Sequence, residues 1–378
     1  MKIFLFLFAL LSFLVPKHSK SQYTLRLIVN EVATKNLDDV YVAGSFNNWN
    51  PRDEKYKLKP YGTKRRAIVL KDIPAAKYEF KFTRGSFDKV ETTAKGEDVP
   101  NHEINLTTDA SLDFSIPGWK DDYPDKPIPN TASPQVKLVD SAFFIPQLNR
   151  RRRIWAYLPK SYATSKKSYP VIYMQDGQNL FNRQTAPFGE WGVDETLDSI
   201  IAKGGKEAIV IGIDHGGDKR MTEYNPYDHK TYGKGEGKQY IDFLALTLKP
   251  FIDKKYRTLK DSAHTIIAGS SIGGVISLYA VAMYPNVFGG AGIFSPSLAI
   301  APQIFEDVEK AKLGPGFHRI YFYAGREGEL MIPDMDKMLS IIERKRNYET
   351  RRIVNPLGKH NEVTWRKEFP SFYEFIMR

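Results

Sequence analysis

The sequence predicts an α/β fold with a mostly parallel central sheet, preceded by a smaller all-β domain. Three observations carry this. At 378 residues the chain is long for one typical domain and suggests two. Residues 23–116 hold period-two runs, such as Tyr23-Thr24-Leu25-Arg26-Leu27-Ile28-Val29 and Tyr78-Glu79-Phe80-Lys81-Phe82, with turn signals between them. From residue 135 onward β-like and α-like patterns alternate, as a mostly parallel sheet requires.

The elements follow in order. Met1, a lone Lys2 and the apolar run Ile3 to Val15 are short for a membrane span, which needs about 20 apolar residues. Ser19 and Ser21 put small residues where cleavage before Gln22 needs them. Residues 1–21 are therefore expected to be a signal peptide and the protein to be secreted or periplasmic, with an uncleaved anchor as the alternative. Residues 22–116 form the β domain, and the proline-rich, polar residues 117–134 a semi-rigid linker. Residues 135–378 form the α/β domain, with Ala208–Ile213 as a wholly apolar strand at its centre.

Composition narrows the chemistry. There is no cysteine, so disulfides, thiol catalysis and thiolate metal sites are excluded. Losing the three lysines and no acid of residues 1–21 takes the net charge from +11 to +8, which favours anionic surfaces or acidic polysaccharides. Arg150-Arg151-Arg152-Arg153 precedes a strand pattern, so alternate arginines are expected to pair on the sheet surface. No nucleic-acid module stands beside it, and no nucleic-acid partner is expected.

Gly269-Ser270-Ser271-Ile272-Gly273-Gly274 follows a β-like run and opens an apolar helix-like run. Strand, sharp turn and helix with G-x-S-x-G at the turn is the nucleophile elbow of α/β-hydrolases. Centred on Ser271, both flanking positions are glycine; centred on Ser270 they are Ala268 and Ile272. Ser271 is the candidate nucleophile. A serine needs a histidine base and an orienting carboxylate, in the order Ser, acid, His along this fold. Beyond Ser271 stand two histidines. His318 enters an aromatic strand and reads as structural, whereas His360 sits in a polar loop before the last helix and is the candidate base. Glu327, just past the strand Arg319 to Ala324, is the candidate acid, with Glu329 in reserve and Asp334 and Asp336 further along. The oxyanion hole needs two backbone N–H groups: Ile272 supplies one, and Gln178 or Gly177, after the strand Pro170 to Met174, the other.

From about Val136 onward the chain resembles the esterase family of α/β-hydrolases that includes esterase D, feruloyl and acetylxylan esterases and trilactone siderophore esterases. The resemblance lies in Tyr173-Met174-Gln175-Asp176-Gly177-Gln178-Asn179-Leu180-Phe181, Trp191-Gly192-Val193-Asp194-Glu195, Arg220-Met221-Thr222-Glu223-Tyr224, Leu248-Lys249-Pro250-Phe251-Ile252-Asp253, the elbow, and His360-Asn361-Glu362. It implies a Ser-acid-His triad without metal or other cofactor, and Trp191, Arg220, Glu223 and Tyr224 as pocket residues, with salt-bridge or packing roles as the alternative. At the acid the chain departs from the family, with one residue rather than two between Gly325 and Glu327.

Val42-Ala43-Gly44-Ser45-Phe46-Asn47-Asn48-Trp49-Asn50 and Phe80-Lys81-Phe82-Thr83-Arg84-Gly85-Ser86-Phe87 resemble the immunoglobulin-like starch- and glycogen-binding sandwiches. That resemblance implies that Trp49 and Phe87 stack on sugar rings, whose C–H faces suit flat aromatics; the same motif also builds sandwiches that bind no sugar. The combined expectation is a secreted serine ester hydrolase that removes acetyl or feruloyl groups from an esterified carbohydrate. The alternatives are a periplasmic siderophore trilactone esterase, whose substrate is a ferric siderophore, and a non-catalytic carbohydrate-binding protein. Acyl transfer to a sugar shares the same acyl-enzyme. The oligomeric state is not legible.

Overall fold

The computed structural model describes residues 22–123, 127–312, 316 and 318–378, with backbone alone at 327–329. The expected leader, residues 1–21, lies outside the described residues. The chain divides into two compact units, one ending at Pro127 and one starting at Ile128.

The N-terminal unit is all-β. Its strands are β1 (Gln22–Val32), β2 (Tyr41–Gly44), β3 (Lys59–Pro60), β4 (Arg66–Pro74), β5 (Ala76–Thr83), β6 (Glu91–Thr92), β7 (His102–Leu106), β8 (Ala110–Ile116) and β9 (Gly118–Trp119). They form sheets in the orders β3-β4-β1-β8 and β2-β5-β7, plus the short pair β6-β9. Alternation decides the core: Leu25, Leu27 and Val29 of β1 meet Phe80 and Phe82 of β5, all fully buried. The first part of the expected linker is folded here. Gly118 and Trp119 pair with Thr92 and Glu91, and the Trp119 indole, fully buried, donates to the Thr34 carbonyl at 3.1 Å.

The C-terminal unit adds β10 (Val136–Ile145), β11 (Arg150–Tyr157), β12 (Val171–Gln175), β13 (Ile209–Ile213), β14 (Thr265–Ser270), β15 (Gly290–Phe294), β16 (His318–Gly325) and β17 (Tyr348–Asn355). Its helices are α1 (Val193–Ala202), α2 (Arg220–Glu223), α3 (Gly237–Phe243), α4 (Lys249–Lys255), α5 (Ile272–Met283), α6 (Ile304–Lys310), α7 (Ile332–Glu343) and α8 (Glu362–Ile376). One sheet runs β10-β11-β13-β12-β14-β15-β16-β17, antiparallel at β10-β11-β13 and parallel from β13 onward. This is an α/β-hydrolase sheet. Strands β12 to β15 are buried along their whole length, which is why they read as unbroken apolar runs rather than alternating ones. Parallel strands release their chain at the same edge of the sheet, so the loops after β12, β14 and β17 gather there.

Residues 128–134 of the expected linker belong to this unit. Thr131 Oγ1 donates to Glu190 at 2.6 Å, and the Ser133 N–H to Asp194 Oδ2 at 2.6 Å. Three of the four arginines pair with carboxylates: Arg150 reaches Glu223 at 2.7 Å and both Glu236 oxygens at 2.8 Å, Arg152 also binds Glu223, and Arg153 binds Asp214 at 2.7 Å, while Arg151 donates to the Ala142 carbonyl.

Candidate active site

The chain turns from β14 into α5 at a single residue. Ser271 makes the turn at φ 57° and ψ −124°, a sparsely populated conformation that costs on the order of 1–3 kcal/mol. Sheet and helix hold it there. The Ser271 N–H donates to the Phe294 carbonyl at 2.9 Å, and its carbonyl accepts from Gly274 at 3.1 Å and Val275 at 3.3 Å. A Cβ on Gly269 would stand 2.6 Å from the Gly273 carbonyl oxygen and 2.7 Å from Gln175 Cγ, so that position admits only glycine. Ser271 is the apex, and Ser270 is the buried last residue of the strand.

Ser271 and His360 line one cavity of about 380 Å³, together with Asp176, Asn179, Phe188, His215, Arg220, Ser270, Asn361, Glu362 and Trp365. His360 hangs in the loop between β17 and α8. Asn361 caps α8, its side chain accepting from the Thr364 N–H at 3.1 Å, a bond that fixes where the helix starts. The imidazole meets the Trp365 ring edge-on, 5.2 Å between centroids, and the Trp365 indole donates to Ser295 Oγ at 3.1 Å. Glu327 and Glu329 lie in the turn Arg326–Met331 straight after β16; their side chains lie outside the described residues. Asp336 is engaged elsewhere, holding Arg352 at 2.6 and 2.9 Å. His318 is buried and stacked on Tyr348 at 4.9 Å.

Two of the loops present backbone donors. Ile272 opens α5, where the first N–H groups have no intrahelical acceptor. Gly177 and Gln178 form the tight turn after β12, entered through Asp176 at φ 56°. A Cβ on Gly177 would lie 2.7 Å from the Gly212 backbone, so glycine is what lets this turn press against β13. The Gln178 side chain accepts from the His215 N–H at 3.2 Å.

Of the four expected pocket residues, Arg220 lines the cavity. It binds Asp176 through Nε at 2.7 Å and Nη2 at 2.8 Å and lies over the Tyr224 ring. The other three face away. Trp191 is 2% exposed and packs against Phe294, Trp365 and Phe369. Glu223, fully buried, is the anion that Arg150 and Arg152 share. Tyr224, also fully buried, accepts the Asp176 N–H at 3.3 Å beneath the cavity. The sequence did not single out Phe188, His215 or Trp365. Asp176, Asn179 and Glu362 stood inside quoted motifs and could have been found there.

The cavity mixes charge and apolar surface. Burial pushes the Glu362 carboxyl above its ordinary value, and Asn179 Nδ2 donates to it at 3.2 Å. Phe188, 75% exposed, and Trp365 supply aromatic surface. Among the described residues no cluster of three or more histidine or carboxylate side chains could hold a metal ion.

A sequence profile described as "Putative esterase" matches residues 145–376, more than half of the chain. The chain belongs to the Putative esterase family. This esterase is a carboxylic ester hydrolase. It is 30% identical over 183 residues to the uncharacterized protein YbbA of Bacillus subtilis (strain 168), covering 47% of this chain and 68% of that one. It is 24% identical over 215 residues to an endo-1,4-beta-xylanase/feruloyl esterase of Xylanibacter ruminicola, covering 56% of the esterase but 27% of that longer protein. The enterobactin esterase of Shigella flexneri superposes with a TM-score of 0.54 at 14% identity, over 89% of this chain and 87% of that one. That likeness is one of fold, and its extent exceeds what the C-terminal unit alone could supply.

Proposed function

We propose that the protein is an exported serine esterase that removes acetyl or feruloyl groups from an esterified carbohydrate. The observation that carries the serine mechanism is the strained Ser271 elbow opening into the cavity that His360 also lines. In this reading Ser271 Oγ attacks the ester carbonyl while its proton passes to His360, oriented by Glu327. The Ile272 N–H and that of Gln178 or Gly177 receive the oxyanion, and each such donor contributes about 10²–10³ in kcat. The tetrahedral adduct collapses, His360 protonates the departing alcohol, and water repeats the sequence on the acyl-enzyme.

The charge of the cavity favours an uncharged ester. Its one guanidinium, Arg220, is neutralised by Asp176, and Glu362 stands beside them. An anionic ferric catecholate would meet little surplus positive charge there. The siderophore reading is supported by the fold likeness to siderophore esterases such as the enterobactin esterase.

Carbohydrate targeting would fall to the N-terminal unit. Phe87 is 43% exposed and Trp49 half-buried. Their loops adjoin, since Thr83 Oγ1 donates to the Pro51 carbonyl at 2.7 Å and Arg52 lies against Gly85. Purified protein assayed on acetylated xylan, methyl ferulate and ferric enterobactin tests the proposal. Turnover of either of the first two, well above the third, is expected; the reverse ranking would replace the carbohydrate reading with the siderophore one.

A further inference from the structure

A second hydroxyl sits against the candidate nucleophile. Ser297 Oγ lies 3.0 Å from Ser271 Oγ. Ser297 follows β15, the strand hydrogen-bonded beside β14, and is 8% exposed. Its backbone is pinned twice: the N–H donates to the Ser271 carbonyl at 3.3 Å, and the carbonyl accepts from Ile300 at 3.1 Å. The same backbone that holds the elbow therefore holds Ser297 in register with it.

We infer that Ser297 is a positioning residue for ester hydrolysis, its hydroxyl donating to Ser271 Oγ. This rests on Ser271 being the nucleophile. Each hydroxyl has one proton to give. If Ser271 gave its proton to Ser297, the proton the base must remove would point the wrong way. Ser297 has the opposite constraint. Among the described residues Ser271 Oγ is the acceptor its buried proton reaches, and a buried hydroxyl left unpaired is costly. The productive arrangement is thus the one in which Ser297 donates and the Ser271 proton faces His360.

Ser297 keeps its own proton throughout. As the Ser271 proton moves to the base and the bond from Oγ to the acyl carbon forms, the donated hydrogen bond strengthens against the charge developing on Oγ. It strengthens again when Oγ departs from the acyl-enzyme during deacylation. Both chemical steps gain and ground-state binding does not, so the signature is a loss in kcat with KM little changed.

The test is pre-steady-state and steady-state hydrolysis of p-nitrophenyl acetate by the full chain, with inactivation by phenylmethylsulfonyl fluoride alongside. Ser297→Ala should slow the acylation burst, kcat and sulfonylation together, by about ten- to hundredfold, the range for losing a hydrogen bond to a charged group. Ser297→Thr should restore most of each rate. Rates for Ser297→Ala within about twofold of wild type, the scale below which a lost hydrogen bond is not resolved, with the sulfonyl group mapped to Ser271, would overturn the inference alone. A sulfonyl group mapped elsewhere would overturn it together with the nucleophile reading. Should Ser297→Ala melt far below wild type, Ser297→Cys, which keeps the shape with a weaker donor, takes its place: slowed rates support the inference and wild-type rates overturn it.

Discussion

Arg220 grips both carboxylate oxygens of Asp176, at 2.7 and 2.8 Å, and its Nη2 also stands 3.5 Å from the Ser270 carbonyl. One guanidinium thus ties the turn after β12 to the end of β14. Those are the two segments from which the proposed oxyanion donors and Ser271 emerge.

Breaking that tie should cost both stability and activity. Arg220→Ala leaves the buried Asp176 without its cation, a loss of about 3–5 kcal/mol for a buried pair. Arg220→Lys cannot reproduce the two-point grip and should recover only part of it. Thermal unfolding and ester hydrolysis measured on both variants check this. A melting temperature unchanged in Arg220→Ala would mean the pair is not structural.

The proposed acid is separable by two conservative variants. Glu327→Gln should lose orders of magnitude in kcat with little change in KM, because the imidazole would be poorly oriented. Glu329→Gln should stay near wild type. Swapped effects would make Glu329 the acid.

Glu195 gives the fold a pH dependence of its own. Burial, and then the neighbouring Asp194 charge, pushes its carboxyl from an ordinary 4.5 up to about 7. A carboxyl with a raised folded-state pKa binds its proton more tightly when folded. Its contribution is therefore fully present below pH 4.5 and is lost as pH rises through about 7. Glu195→Gln removes that titration. Its melting temperature should match wild type near pH 4.5 and exceed it at pH 8; equal curves at both would count against the burial effect.

The elbow was legible because its rule is local steric chemistry: Gly269 and Gly273 choose Ser271 over Ser270 without help from distant residues. The fully apolar strands were legible for a similar reason, since burial on both faces leaves no alternation to misread. Which way a motif residue faces is another matter. Trp191, Glu223 and Tyr224 sit in segments shared with relatives, yet all three point into the protein. Matching a segment says that a residue matters, not whether it lines the cavity or supports the residues that do. Ser297 lies 26 positions from Ser271 and carries no motif; only the pairing of β14 with β15 brings them together.

The linker shows the same limit. Its proline-rich composition reads as a semi-rigid linker ending at 134, and does not reveal that Thr131 and Ser133 are bonded to Glu190 and Asp194. A chain starting at Ile128 should hydrolyse small soluble esters and lose affinity for polysaccharide, with Trp49→Ala reproducing most of that loss. One starting at Gln135 should unfold at lower temperature. If the isolated N-terminal unit binds no glycan, with or without Trp49 and Phe87, the carbohydrate reading loses its main support.

The central claim is that Ser271, activated by His360, is the nucleophile. Hydrolysis of p-nitrophenyl acetate by Ser271→Ala and Ser270→Ala, each checked for an intact fold, tests it most directly. Ser271→Ala should abolish turnover, and His360→Ala should cost about as much because the two act as a unit, while Ser270→Ala remains active. A folded Ser271→Ala that turns over ester near the wild-type rate, or a Ser270→Ala that is the more damaged of the two, would contradict the account.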